Sequence, residues 1–459
     1  MDEENWGPRP LRMLKCWADF LGYVEFVREW WGSYDLHGWG GYVLKEKLKL
    51  IKGALKACHQ QHYQNLEGKL QKVKERMASL DYKGESSDLS LEEVVELHGL
   101  SDNLHSLSRV HSSMSWQKAR LHWLQEGDTN SKKFHEVMSS RRRRNAIQLI
   151  NVNGIPVEGV RNIREVVYTH FSSQFKVVNV ERAGVEALEF RMLSVVDSGS
   201  LIRHFSIEEV KQEVWDCDNF KSPGPDGISF GFIKQFWPDM KDDFMRFLTK
   251  FHQNAKLTKG INSTFIALIP KEDSPQRLND FRPISLVSCM YKFLAKVLAN
   301  RLRVVIGSVV SDSQSAFVKG KQILDGILVA NEVVDEARRS NKELLLFKVD
   351  FEKAYDSVDL HYLDVVMVKM NFPTLWRKWI SECVGSATTS VLMNGSPTEE
   401  FPLERGLRQG DHLSLFLFLL AAEGLNVLMT SLVNVGMYRG YHVITTVSVY
   451  LILNLPMTH

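Results

Sequence analysis

The sequence predicts an α+β protein, mostly helical in its leading part and alternating short strands with amphipathic helices later. Three observations predict this. Apolar residues recur at three- and four-residue steps over 44–80, an N-capped helix start stands at Ser206, and strand-like runs at 264–269 and 344–351 are separated by helical patterns such as 291–305. A chain of 459 residues with 44% hydrophobic and 24% charged residues has enough apolar material for about two to four domains. A formal charge of +2 excludes a globally basic nucleic-acid binder, so any basic surface must be local.

Residues 1–40 are rich in tryptophan and glycine (Trp6, Trp17, Trp30, Trp31, Trp39) and do not read as the start of a domain. From Leu44 the apolar face runs through Leu48, Ile51, Leu55, Leu66, Leu70, Val73, Met77 and Leu80, which predicts one long helix weakened at Gly53 and Gly68. Gly84, Ser86, Ser87 and Ser90 predict a loop, and a second helix follows from Leu91 to about Arg109. Over 116–145 eight cations (Lys118, Arg120, Lys132, Lys133, Arg141, Arg142, Arg143 and Arg144) face three carboxylates (Glu126, Asp128, Glu136), with Trp116, Trp123 and Phe134 between them. Cations that displace counterions and rings that stack on bases suit a nucleic-acid backbone, although a solvated helix face with three core aromatics has the same composition. At Phe205-Ser-Ile-Glu-Glu209 serine is the N-cap and the glutamates meet the positive end of the helix.

The five cysteines (Cys16, Cys58, Cys217, Cys289, Cys383) are scattered without a Cys-x-x-Cys pair, as expected of reduced thiols in an intracellular protein. Cys58, His59 and His62 lack a partner cluster and read as a helix surface, not a metal site. The acidic N-terminus is not a secretory signal, and the most apolar run, 415–422, is too short to span a bilayer.

The chemistry concentrates in two strings. Leu344-Leu-Leu-Phe-Lys-Val-Asp350 reads as a buried strand that delivers a carboxylate at its end, and Asp350-Phe-Glu-Lys-Ala-Tyr-Asp356 continues it. A lone Asp there would ordinarily cap the next helix. Fifty residues on stands Gly406-Leu-Arg-Gln-Gly-Asp411. Upstream lie Lys221-Ser-Pro-Gly-Pro-Asp-Gly227, Leu268-Ile-Pro-Lys271, Asp280-Phe-Arg-Pro-Ile-Ser285 and Gln314-Ser-Ala-Phe-Val-Lys319.

In order and spacing these strings resemble the reverse transcriptases of non-LTR (LINE-type) retrotransposons, especially the plant branch. The resemblance implies a right-hand polymerase, with fingers and a partial palm built on a ferredoxin-like antiparallel sheet, preceded by a helical connector. It also implies RNA-directed DNA synthesis with an RNA template, a DNA primer or target, dNTP and Mg²⁺. Two such ions, held by carboxylates, would activate the primer hydroxyl and neutralise the leaving pyrophosphate. By that resemblance Asp350 is a catalytic metal ligand, with the carbonyl of Phe351 a second contact. Lys271 and Arg282 hold the triphosphate, Tyr355 excludes a ribose 2′-hydroxyl, and Gln409 and Gly410 brace the templating pair. Asp356 is expected to cap the following helix.

Further upstream, Trp123-Leu-Gln-Glu-Gly-Asp-Thr-Asn130 with Lys133-Phe-His135 resembles the connector of these elements, and Asn5-Trp-Gly-Pro-Arg-Pro-Leu-Arg12 resembles the last strand of their endonuclease. The expected organisation is an endonuclease remnant over 1–40, a helical and basic connector over 41–205 and fingers over 206–340. A partial palm over 341–443 and an out-of-frame tail over 444–459 complete it. A nuclear or cytoplasmic location goes with that reading, which leaves the oligomeric state open.

Two departures stand in the second string, where the family usually has proline at the positions of His412 and Leu415; their loss is expected to loosen the loop. A third lies after Gly440-Tyr-His-Val443, where the family's paired aspartates do not appear. The residues from Tyr450 to His459, reverse-translated with suitable codons and read from the third base, give Ser-His-Leu-Lys-Phe-Ala-Asp-Asp-Thr. A frameshift between about Val443 and Tyr450 accounts for this, and an unrelated C-terminal exon is the alternative. The expected chain is therefore an inactive polymerase with an exposed sheet edge and low stability. The alternatives are a non-catalytic nucleic-acid-binding relic acting through the basic stretch, or a pseudogene product.

Overall fold

The computed structural model describes residues 4–19, 22–119, 136–137, 139–140, 144–177, 184–219, 221–312, 314–318, 320–344, 351, 353–437, 442–443 and 446–447. The periodic stretch after Leu44 forms two helices, not one: α2 (Gly40–Tyr63) and α3 (Leu66–Ser86). The break falls at Asn65, which adopts φ 53° and takes a hydrogen bond from Gly68 N at 3.3 Å, so glycine ends up inside the new first turn. The expected loop at 84–90 is shorter, because α3 continues to Ser86. Ser90 and Glu93 then form a reciprocal capping box (Glu93 N to Ser90 Oγ 3.3 Å, Ser90 N to Glu93 Oε2 3.0 Å) that opens α4 (Leu91–Ala119). That helix runs ten residues past the expected Arg109. A shorter α1 (Tyr23–Ser33) precedes α2.

A hairpin of β1 (Leu149–Val152) and β2 (Ile155–Glu158) leads into α5 (Val160–Gln174). Then come α6 (Val195–Leu201) and α7 (Ile207–Trp215), the latter capped as expected by Ser206, whose Oγ accepts from Glu209 N at 3.1 Å. After α8 (Phe230–Gln235), α9 (Trp237–Asn254) carries Trp237, Phe244, Phe247 and Phe251 on its buried face. Next is α10 (Cys289–Val309), most of whose residues are buried. It is the axis of the main core, packed on α7 and on α14 (His412–Asn434), which in turn packs on α12 (Leu360–Lys369). Buried Arg301 of α10 is neutralised by Glu209 through two 2.8 Å bonds and donates to the carbonyls of Leu201 and Arg203. The amphipathic α11 (Ile323–Arg339) leaves Leu324 and Leu328 exposed, and α13 (Thr374–Gly385) supplies the buried Trp376 and Trp379.

The principal sheet has the order β4-β3-β5-β6, with β7 (Phe401–Pro402) also on β5. Here β3 is Ser263–Pro270, β4 Phe281–Val287, β5 Thr388–Met393 and β6 Ser396–Pro397. The expected antiparallel sheet is mixed among the described residues. Strand β3 pairs antiparallel with β4 but parallel with β5, because the chain returns to the sheet in the same direction after a long excursion through helices. A second core lies against this sheet, where Ile163, Val167 and Phe171 of α5 and Ile150 of β1 meet Ile266, Val391 and Phe401. The strand expected at 344–351 falls largely outside the described residues, as does most of the stretch after Val443.

An N-terminal strap joins the helical core to the sheet side. Ser396 Oγ donates to Pro8 O (3.1 Å), Arg164 to Trp6 O (3.0 Å), Met13 N to Gly227 O (2.8 Å) and Gln117 Nε2 to Met13 O (2.7 Å). By length and composition α14 could cross a bilayer, with a mean hydropathy of 1.9 over its most apolar stretch. Here it is a core helix, with Leu413, Leu417, Leu420 and also Glu423 and Asn426 buried. All five cysteines are free thiols.

Candidate active site

Three strings distant in sequence meet at one place. Leu407 N donates to Tyr355 O at 2.7 Å and Gly406 N to Val358 O at 2.8 Å, fastening the 406–411 loop to the segment after Asp350. On its other side Gln409 O accepts from Ser285 N of β4 at 2.8 Å. Gly406 sits at φ +84°, and a Cβ there would come within 2.6 Å of Asp356 O. Only glycine permits that approach.

A buried polar cluster holds the loop from beneath. Arg408 lies 3.8 Å over the Tyr291 ring and donates to Asn262 Oδ1 (2.6 Å), Thr264 Oγ1 (3.3 Å) and Cys383 O (3.0 Å), with Asp411 Oδ2 at 3.3 Å. Tyr291 Oη donates to the same Asp411 oxygen at 2.8 Å, and Asp411 caps α14 through Leu413 N at 3.2 Å. Arg408 and Asp411 are not among the residues the sequence singles out; their signal is an arginine and an aspartate three apart in a glycine-containing string. His412 and Leu415, where loss of proline is expected to loosen the loop, are the first and fourth residues of α14, next to this cluster.

Lys271 and Arg282 come together at one end of the β3–β4 hairpin. Arg282 is in register with Ile269, and Lys271 N donates to Asp280 O at 2.8 Å. Both side chains are exposed, and Lys271 Nζ donates to Asn279 O at 2.8 Å. Residues two apart on a strand share a face, so Arg282 points to the same side as Ile284, whose Cγ2 is 3.5 Å from where a Gly410 Cβ would lie. Gly410 is exposed, at φ +95°. Tyr355 is half-buried, its ring 5.1 Å from that of Phe418, and burial pushes its phenol up. Phe351 is exposed and meets Phe418 edge-on at 6.4 Å.

Asp350 lies outside the described residues, as do Lys132, Lys133, Arg141, Arg142 and Arg143. Arg144 is exposed and ion-paired with Asp273. Asp356 is not the cap of the next helix: Asp359 caps α12, accepting from Tyr362 N at 2.9 Å. Three residues earlier, Asp356 is buried and takes a hydrogen bond from Gln174 Nε2 of α5 at 2.7 Å. Burial pushes its carboxyl up to about 6 against the opposing pull of Lys353 and of the Gln174 bond.

The loop 221–227 docks where β4 ends and α10 begins. A Cβ on Gly224 would strike the backbone of Val287 at 2.4 Å, and Asp226 Oδ2 accepts from Cys289 N, the first amide of α10, at 2.5 Å. Lys52 of α2 donates to Asp226 O.

Residues 269–438 match the family model described as Reverse transcriptase (RNA-dependent DNA polymerase). This stretch is a reverse transcriptase domain. The chain is 26% identical over 426 residues to the "Transposon TX1 uncharacterized 149 kDa protein" of Xenopus laevis, covering 92% of this chain and 32% of that protein. It is 26% identical over 204 residues to the "Retrovirus-related Pol polyprotein from type-2 retrotransposable element R2DM" of Drosophila melanogaster (44% of this chain, 19% of that protein). A similar match, 26% over 152 residues, is to the type-1 retrotransposable element R2 polyprotein of Popillia japonica. The chain thus spans 32% of the first of these relatives and 19% of the second.

Polymerases of this domain type generally use divalent metal ions. Among the described residues no three His, Cys, Asp or Glu side chains converge as metal ligands. Asp356 is bonded to Gln174, and Glu423 is buried on α14 against Ser311 N (3.1 Å) and Asn426 Nδ2 (2.9 Å). The described part of the reverse transcriptase domain does not fit the carboxylate set that paired Mg²⁺ ions need.

Proposed function

We propose that this chain supplies the template- and nucleotide-selecting part of the RNA-directed DNA polymerase of a non-LTR retrotransposon of the plant branch. The carrying observation is the double clasp between 355–358 and 406–407, continued to β4 at Gln409. These backbone contacts between 355–358, 406–409 and β4 support reading the strings as one nucleotide-handling unit. Lys271 and Arg282 meet the triphosphate, a cation pair suited to its charge. Tyr355, backed by Phe418, presents a ring edge to the sugar, and Gln409 with Gly410 supports the templating pair. Asp350, following the strand-like run 344–349, is the metal ligand of this reading, with the Phe351 carbonyl beside it. The retrotransposon relatives named above support the assignment.

Residues 1–459 by themselves are proposed not to extend a primer. After Asp411 the sequence has one acidic residue, Glu423, and it is buried in α14. The test uses a primed RNA template and a matching dNTP. The expected result is binding of the template, tightened by the dNTP and weakened by Lys271→Ala or Arg282→Ala, without incorporation. Template binding indifferent to dNTP would overturn the nucleotide-selecting role. Incorporation abolished by Asp350→Asn would overturn the inactivity.

A further inference from the structure

Behind the 221–227 loop, residues 13–18, Tyr23, the end of α4, residues 218–219 and residues 221–235 line a cavity of about 390 Å³. Its walls are aromatic and apolar, formed chiefly by Trp17, Tyr23, Trp116, Pro223 and Phe232. Lys15, whose Nζ lies 4.9 Å over the Trp116 ring, and the exposed Lys221 bring two positive charges to it against the one carboxylate of Asp218. Two lining residues carry buried polar atoms without a partner: Trp17 Nε1, a donor on a ring only 2% exposed, and Asn219 Oδ1, an acceptor. A buried donor and a buried acceptor left unpaired in a packed chain require an explanation, and a bound group that meets them is one.

We infer that this cavity captures one unstacked base of a single-stranded nucleic acid, with the adjoining phosphates on Lys15 and Lys221. The half-buried Trp116 offers a ring face to any base, and every base edge carries both a hydrogen-bond donor and an acceptor to complement Asn219 and Trp17. The volume falls within the range of small-ligand pockets, about 300–1,000 Å³, and is too small for a duplex. Because the cavity abuts Pro223, a strand held there leads past the 221–227 loop toward the end of β4. The inference rests on the nucleic-acid reading above for the class of ligand, though not on catalysis.

Gly231 gives the test. It lines the cavity at the second residue of α8, and a Cβ there meets Asn219 only at ordinary contact distance (3.5 Å), so Gly231→Leu fills the space without backbone strain. Binding of a labelled single-stranded RNA decamer by the full chain is followed by fluorescence anisotropy, alongside a decamer with abasic sites throughout. Gly231→Leu is expected to weaken the normal decamer by about five- to a hundred-fold, the range for losing one stacked base, and to leave the abasic decamer unchanged. Equal binding of the normal decamer by both proteins overturns the pocket and leaves the nucleic-acid reading standing. Failure of the native chain to bind the decamer overturns both. As a check that needs no variant, a decamer bearing 4-thiouridine should cross-link within 13–23 or 218–235; cross-links confined to other segments overturn the proposal.

Discussion

Arg408→Met is the substitution that most directly tests how the 406–411 loop is held. Arg408 is 5% exposed, and its guanidinium serves Asn262, Thr264, the Cys383 carbonyl and Asp411 at once. Methionine replaces much of the stem volume but leaves Asp411 buried with only Tyr291 Oη and Leu413 N for company, and leaves the Cys383 carbonyl without the guanidinium. Removing one partner of a buried ion pair costs about 3–5 kcal/mol, because the other charge stays desolvated. Against a typical total stability of about 5–15 kcal/mol, that is a large fraction. The assay is urea denaturation of the full chain, with Asp411→Asn and the double variant completing a cycle. The double variant should be less destabilised than the two single losses summed, since neutralising Asp411 removes the stranded charge. A single-variant loss under about 1 kcal/mol would show that the cluster does not hold the loop.

Asp356→Asn keeps an acceptor for Gln174 and removes a carboxyl that burial has pushed up to about 6. A raised carboxyl favours the folded state when protonated, so the penalty is absent below the unfolded value near pH 4, grows as pH rises, and is complete above pH 6. The asparagine variant should therefore be more stable at pH 7.5 by up to about 3 kcal/mol and indistinguishable below pH 4, as thermal melts across that range will show. Gly406→Ala forces a left-handed backbone on a residue with a Cβ and drives that carbon against Asp356 O. It should cost about 2 kcal/mol or more in urea and weaken dNTP-dependent template binding. His412→Pro should do the reverse. His412 opens α14 directly after Asp411, whose extended φ −86°, ψ 133° suits a residue before proline, so a gain of about 0.4–1 kcal/mol is expected in the same assay.

Much of this arrangement could be read from sequence, for identifiable reasons. Ser206 with Glu208 and Glu209, the strand at 264–269 and the apolar face of 291–305 are local signals, and local physics fixed them. Two hairpin turns, Asn153-Gly154 and Asn394-Gly395, carry an equally local signal. Other features depended on distant partners. The α2–α3 break is set by one left-handed asparagine in a stretch whose apolar spacing runs on unbroken. The parallel register of β3 with β5 joins strands more than a hundred residues apart. For Asp356 the helix-cap expectation was reasonable, since a carboxylate ahead of a helix usually serves it; Asp359 took that place, freeing Asp356 to reach α5. The Arg408–Asp411–Tyr291 cluster could not be inferred from the loop alone, because Tyr291 arrives from the start of α10.

The strap at residues 5–13 has a consequence for biosynthesis. A ribosome delivers it long before its partner: Ser396, which grips Pro8, is made 388 residues later. Contacts of such separation close late, and synthesis proceeds at about 5–20 residues per second, so the segment waits on the order of tens of seconds for its seat. Through that interval Trp6 and Trp17 have only partial cover, a standing invitation to a chaperone or a protease. The yield of folded protein should thus depend on how residues 5–17 are sheltered while β6 is still inside the exit tunnel. Slowing translation just after β6 should raise that yield, and slowing it before α9 should lower it.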